Sequence, residues 1–225
     1  MPMAHVAGPT AALAGLPAGL QAQGVWAGRR QLFVRFAAEA ETATMYTAEA
    51  LAQELKRLVA RSTFHSVAIA GRDPLANAEY LCAAFEKHVP AIPMLLDTDG
   101  QRPAELALVA KHLGMGGMIQ VTLDGSAGAA DASVERGLES LRIASRQGVP
   151  HSLVLAPDER TSDGQLLRIV EQAHSASGAT MIVVHPPGSM PVDRDRRWIM
   201  LLERAAALHG DIRFALRLPP PVGIR

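Results

Sequence analysis

The chain has one cysteine, Cys82, in 225 residues. A single thiol excludes an internal disulfide, and it excludes any zinc or iron–sulfur site built from several cysteines of one chain. Charge of one sign is not in excess either. Lys plus Arg number 22 and Asp plus Glu number 22, a formal net charge of +0, which gives no electrostatic argument for nucleic acid or an anionic membrane. No apolar run approaches the roughly 20 residues of a membrane span. The opening MPMAHVAGPTAALAGLPAGLQAQG has no basic stretch before its apolar part and is interrupted by Gly and Pro, so no secretion signal is expected and the expected compartment is the cytoplasm. No Gly-x-Gly-x-x-Gly follows the first strand, no Gly-x-x-x-x-Gly-Lys-Ser/Thr loop occurs, and no Gly-x-Ser-x-Gly elbow occurs. A dinucleotide site, a P-loop and a serine nucleophile therefore lack support.

What is present is organised around Ser66 to Gly125. Three short apolar runs lie there, Val67 to Ala70, Ile92 to Leu96 and Met118 to Val121, separated by the amphipathic stretches Leu75 to His88 and Pro103 to Leu113. Strands alternating with helices over short connections give parallel strands joined by crossovers. Gln31 to Phe36 reads as a strand before this block, with a helix from Thr47 to Ala60 after the loop AAEAETATMY. Beyond it come a helix from Asp131 to Gln147, a strand from His151 to Ala156, and a helix opened by the capping-box spacing Ser162-Asp163-Gly164-Gln165 and running to Gly178. Then follow a strand from Thr180 to His185, a helix capped by Asp193, and a strand from Ile212 to Leu218, with PPPVGIR as an exposed end. Asp73-Pro74 reads as N-cap and first turn of the second helix.

Seven strands and six helices in alternation predict an α/β protein, an open or partial (β/α) TIM-type barrel with about six to seven parallel strands. A doubly wound open sheet is the alternative. Residues 1–28, rich in Ala, Gly and Pro, are expected to be a flexible arm, and residues 29–225 the barrel domain.

Polar residues gather just after three successive strands: IAGRDPL, DTDG and VTLDG. In that order they resemble the GGEPL, TNG and SLDG motifs of the radical S-adenosylmethionine (SAM) superfamily. VERGLESLRIASRQGVP is similar to that family's stretch before its fifth strand, so the resemblance covers roughly residues 31 to 188. It implies that Gly71, Arg72, Asp73, Thr98, Thr122 and Asp124 mark a cofactor-binding mouth. Two departures bear on function. The family holds a 4Fe–4S cluster with a CxxxCxxC loop after its first strand, and the matching loop here, Ala37 to Tyr46, contains no cysteine. In the register Ala38, Thr42, Met45 the three positions hold a methyl, a hydroxyl and a thioether, whereas such clusters take thiolates. The family's second glycine is replaced by Arg72, a cation that obstructs SAM or binds a phosphate or carboxylate.

The residues expected at the strand C-terminal ends are Glu39, Glu41, Asp73, Asp97, Asp99, Asp124, Asp158, Glu159, His185 and Arg217. His185 and Asp124 are the catalytic candidates, with His185 a conceivable general base. Carboxylates on one mouth would suit a hard divalent cation, although caps and turns explain them as well. The expected function is a cluster-less, non-catalytic binding, scaffold or regulatory subunit with a protein partner or as a homo-oligomer, without an iron–sulfur cluster. An enzyme using Arg72, Asp124 and His185 on a small anionic substrate is the alternative, and a SAM-binding protein without reductive cleavage is the third reading.

Overall fold

A computed structural model describes residues 8–114, 116–124, 131–187, 196–218 and 223–224. Its strands are β1 (Thr10–Gly15), β2 (Ala18–Gln21), β3 (Arg30–Phe36), β4 (Thr44–Thr47), β5 (Ser66–Gly71), β6 (Met94–Thr98), β7 (Met118–Asp124), β8 (His151–Ala156), β9 (Met181–Val184), β10 (Ile212–Phe214) and β11 (Gly223–Ile224). Its α-helices are α1 (Ala48–Arg61), α2 (Ala78–Lys87), α3 (Pro103–Val109), α4 (Asp131–Arg146), α5 (Asp163–Ala176) and α6 (Arg196–Leu208).

All strands join one sheet, in the order β10-β9-β8-β7-β6-β5-β3-β1-β4. From β3 to β10 every pairing is parallel, which makes seven parallel strands among the described residues. Among the described residues the sheet is not hydrogen-bonded into a closed ring, and the fold is a partial TIM-type barrel. The period-2 alternation decides which residue faces which layer. Leu32, Val34, Phe36, Val67, Ile69, Met94, Leu96, Val121 and Leu153 pack outward against the helices. Phe33, Ala68, Ala70, Leu95 and Met118 face the lumen.

Helix termini follow local chemistry. Thr47 caps α1, its hydroxyl accepting from Ala50 N at 3.1 Å. Ser162 and Gln165 form a reciprocal capping box at the start of α5, as their spacing predicts. Asp73 departs from expectation. It precedes a single 3₁₀ turn, Pro74–Asn77, with φ of 40°, and its side chain caps nothing. The cap expected at Asp193 lies outside the described residues.

Three further expectations are corrected. Part of the arm expected to be flexible, residues 10–21, forms β1 and β2, which pair antiparallel with β3. The end of the loop after β3 is itself a strand, β4, antiparallel to β1. The end expected to be exposed places Gly223 and Ile224 parallel to β2, opposite Leu20 and Gln21. Leu218 N also donates to Ala22 O at 2.9 Å. Segments from both sides of the chain thus bridge the gap between β10 and β3. The connection from β2 to β3 turns into the lumen and makes its floor: Val25 and Trp26 pack against Phe33, Leu95 and Met118. Among the described residues no helix is long and apolar enough to cross a membrane.

Candidate functional site

At the C-terminal ends of β5, β6 and β7 lies a cleft of about 430 Å³, lined by Gly71, Arg72, Asp73, Pro74, Asp97, Thr98, Asp99 and Asp124. Each wall has a local cause. Gly71 has φ of +99°, and a Cβ there would lie 2.7 Å from Phe36 N and closer still to Phe36 O. Only glycine lets β5 end this tightly against β3. Asp73 is clamped by Arg102, whose Nε lies 2.9 Å from both carboxylate oxygens. That fork ties the loop after β5 to the start of α3, and the carboxylate holds the guanidinium's pKa above its usual value. After β6, Thr98 Oγ1 accepts from Gly100 N at 3.1 Å and Asp99 Oδ1 accepts from Gln101 N at 3.0 Å. Gly100 has φ of +71°, and a Cβ there would lie 2.9 Å from the Cα of Gly137, because α4 leans directly on this turn.

Asp97 sits at the base of the cleft, 6% exposed. Thr122 Oγ1 donates to Asp97 Oδ1 at 3.2 Å and accepts from Gln23 Nε2 at 3.1 Å. A hydrogen-bond chain therefore runs from the floor loop through β7 to the cleft. Gln23 and Gly24 went unnoticed in the sequence. The available signal was polar Gln21 and Gln23 inside an Ala- and Gly-rich stretch, and both are fully buried.

Of the residues expected to bind a cofactor, Gly71, Arg72, Asp73, Thr98 and Asp124 share the cleft, and Thr122 lies one layer beneath it. Arg72 is exposed and makes no ion pair among the described residues. Of the ten residues expected on one mouth, Asp73, Asp97, Asp99 and Asp124 line the cleft and the others do not. Glu41 pairs with Arg35. Asp158 closes its own turn, accepting from Thr161 Oγ1 at 2.8 Å and from Arg160 N at 2.9 Å. Among the described residues no three His, Cys, Asp or Glu side chains are grouped to hold a metal ion.

His185 does not line the cleft. Its Nδ1 lies 2.7 Å from Ala215 O and its Nε2 accepts from Gly24 N at 2.9 Å. Burial pushes its pKa down, the Ala215 carbonyl opposes this, and Arg217 lowers it further.

The loop that would carry the iron–sulfur cluster offers it no fit. Between β3 and β4 it is drawn tight by the Arg35–Glu41 ion pair and by Glu41 N donating to Ala38 O at 3.0 Å. Met45 lies on β4 opposite Ala12, 63% exposed. Cys82 is in α2, and burial together with Glu86 raises its thiol pKa, which favours the protonated form over the thiolate.

No protein-family model and no curated protein matches the chain. In fold it is similar to the crystal structure of QueE from Escherichia coli, with a TM-score of 0.57 at 12% identity, covering 93% of this chain and 95% of that one. That likeness shows the fold, a partial TIM-type barrel; at such identity it carries no residue's role across.

Proposed function

We propose that the chain is a cluster-less relative of the radical SAM barrel, working as a non-catalytic binding subunit beside a partner protein. The observation that carries this reading is the loop after β3. It has no thiolate to offer, and its Arg35–Glu41 ion pair draws it shut. A barrel with that loop has no means of gripping an iron–sulfur cluster through cysteine. The cleft nevertheless persists, with the Arg72 cation on one side and Asp97, Asp99 and Asp124 on the other. Such a charge pattern suits a small ligand carrying an anionic group for Arg72, whether a phosphate, a carboxylate or the amino-acid end of SAM. The reading of an enzyme built on Arg72, Asp124 and His185 is less favoured, because both ring nitrogens of His185 are engaged away from the cleft.

Two measurements test the proposal. Anaerobic reconstitution with iron and sulfide is expected to leave the protein without the visible absorption of a cluster; one cluster bound per chain overturns the reading. Calorimetric titration with SAM, Mg²⁺ and phosphorylated metabolites is expected to show one ligand whose binding is weakened at least tenfold by Arg72→Ala, the equivalent of about 1.4 kcal/mol. Silence across the panel overturns the ligand-binding part.

A further inference from the structure

We propose that His185 is a proton-operated latch that holds the floor loop, residues 22–28, inside the lumen. This goes beyond the ligand reading of the cleft and does not rest on it. The argument begins with donors and acceptors. Gly24 N can only donate, so Nε2 of His185, 2.9 Å away, must present a lone pair. Ala215 O can only accept, so Nδ1, 2.7 Å away, must carry the hydrogen. Only the neutral Nδ1–H imidazole satisfies both. A proton on Nε2 would set two N–H groups against each other and bury a charge at a side chain 3% exposed.

The latch joins three parts of the chain through one side chain: the floor loop, the end of β9 and the segment after β10, which backbone bonds from Ala215 N to Val184 O at 3.0 Å and from Leu218 N to Ala22 O at 2.9 Å also tie together. Gly24 is fitted to this place, with φ of +77° and no room for a Cβ, which would lie 2.5 Å from Gln120 Cδ. The charges around the ring favour the neutral state. Residues 22–28, residues 152–156 and β9 carry no charged side chain. Arg217 on the segment after β10 bears on the ring with like charge. Arg213 on β10 is exposed and pairs with Asp211. A second histidine, His65, meets Trp26 edge-on from below, with ring centroids 4.8 Å apart, and must be separated experimentally.

The sign follows from linkage. The latched imidazole holds a proton less readily than a free one, so the released state binds more protons as pH falls below about 6.5. The released-to-latched ratio then rises by up to tenfold per pH unit, levelling off once the latched ring itself is protonated. Release frees Gly24 and loosens Gln23 from Thr122, so acid loosens the support beneath Asp97.

Hydrogen exchange over peptides spanning residues 22–28, corrected for the intrinsic rate, tests this from about pH 7.5 to 5. Protection is expected to fall with acid in the natural protein and in His65→Gln, and to become pH-independent in His185→Gln, whose amide can donate and accept without titrating. Unchanged protection in the natural protein, or an acid response that survives in His185→Gln, overturns the proposal. If His185→Gln does not fold, side-chain nitrogen NMR of the natural protein decides. The Nδ1–H tautomer with a depressed midpoint supports the latch, and the Nε2–H tautomer or a midpoint at or above about 6.5 overturns it.

Discussion

Replacing Gly24 with alanine isolates the energetics of the floor. Gly24 has φ of +77°, and an added Cβ would lie 2.5 Å from Gln120 Cδ and closer still to its Oε1. Holding a residue with a Cβ in the left-handed region costs about 1 to 2 kcal/mol. Forcing a methyl into a packed interior costs a further 1 to 3 kcal/mol, roughly. Gln120 is fully buried and has little freedom to yield, so the expected total is about 3 kcal/mol. In a protein of this size that lowers the melting temperature by about 6 to 12 °C. A control is built into the same loop: Gly28 has φ of +79°, but nothing lies within 4 Å of where its Cβ would sit. Gly28→Ala should therefore show the backbone part alone, about 1 to 2 kcal/mol. Urea unfolding of both variants, and of Gly24→Ala combined with Gln120→Ala, completes the cycle. The double variant should recover roughly 1 kcal/mol relative to the sum of its parts, because Gln120 is what the new methyl strikes. If Gly24→Ala is no less stable than Gly28→Ala, or the two sites simply add, the floor loop does not press on Gln120 and the account of the lumen fails.

Two further outcomes are expected. Gly71→Ala should destabilise more than Gly24→Ala, because its Cβ meets the backbone of Phe36 and no side chain can move aside; an unfolding midpoint within error of the parent would show that this glycine serves something other than the packing of β5 on β3. Ser162→Ala should remove the capping box of α5 and cost about 1 kcal/mol, seen as a lower urea midpoint with an unchanged slope. A loss well above that would mean the α5 start is doing more than capping.

The parallel strands were legible because each is a short apolar run closed by polar or glycine residues, and the helices between them carry a 3.6-residue period. The edges were not. β1 and β2, TAALAG and AGLQ, are made of small residues with weak strand preference, and pairing with distant segments makes them strands. β4 is four residues long, too short to show a period. In the site, Gly71, Thr98, Gly100 and Asp124 were visible through motifs in register, but the structure gives the two glycines a different reason. Gly71 and Gly100 are needed where β5 meets β3 and where α4 meets the turn after β6. Asp73 read as a helix cap because Asp-Pro so often is one; Arg102, 29 residues on, outcompetes the helix for its carboxylate. The partners of His185 could not be read at all, since one is a backbone amide 161 positions away.

The pairing of Gly223 and Ile224 with Leu20 and Gln21 has a consequence for how the molecule is made. The two partners are about two hundred residues apart, so this contact closes a very long loop and adds little to the early search for structure. On the ribosome β2 must wait, one flank uncovered, until about two hundred further residues have emerged. A bulky insertion directly after Ile224 would crowd this join, whereas one in an exposed surface turn far from it would leave assembly undisturbed.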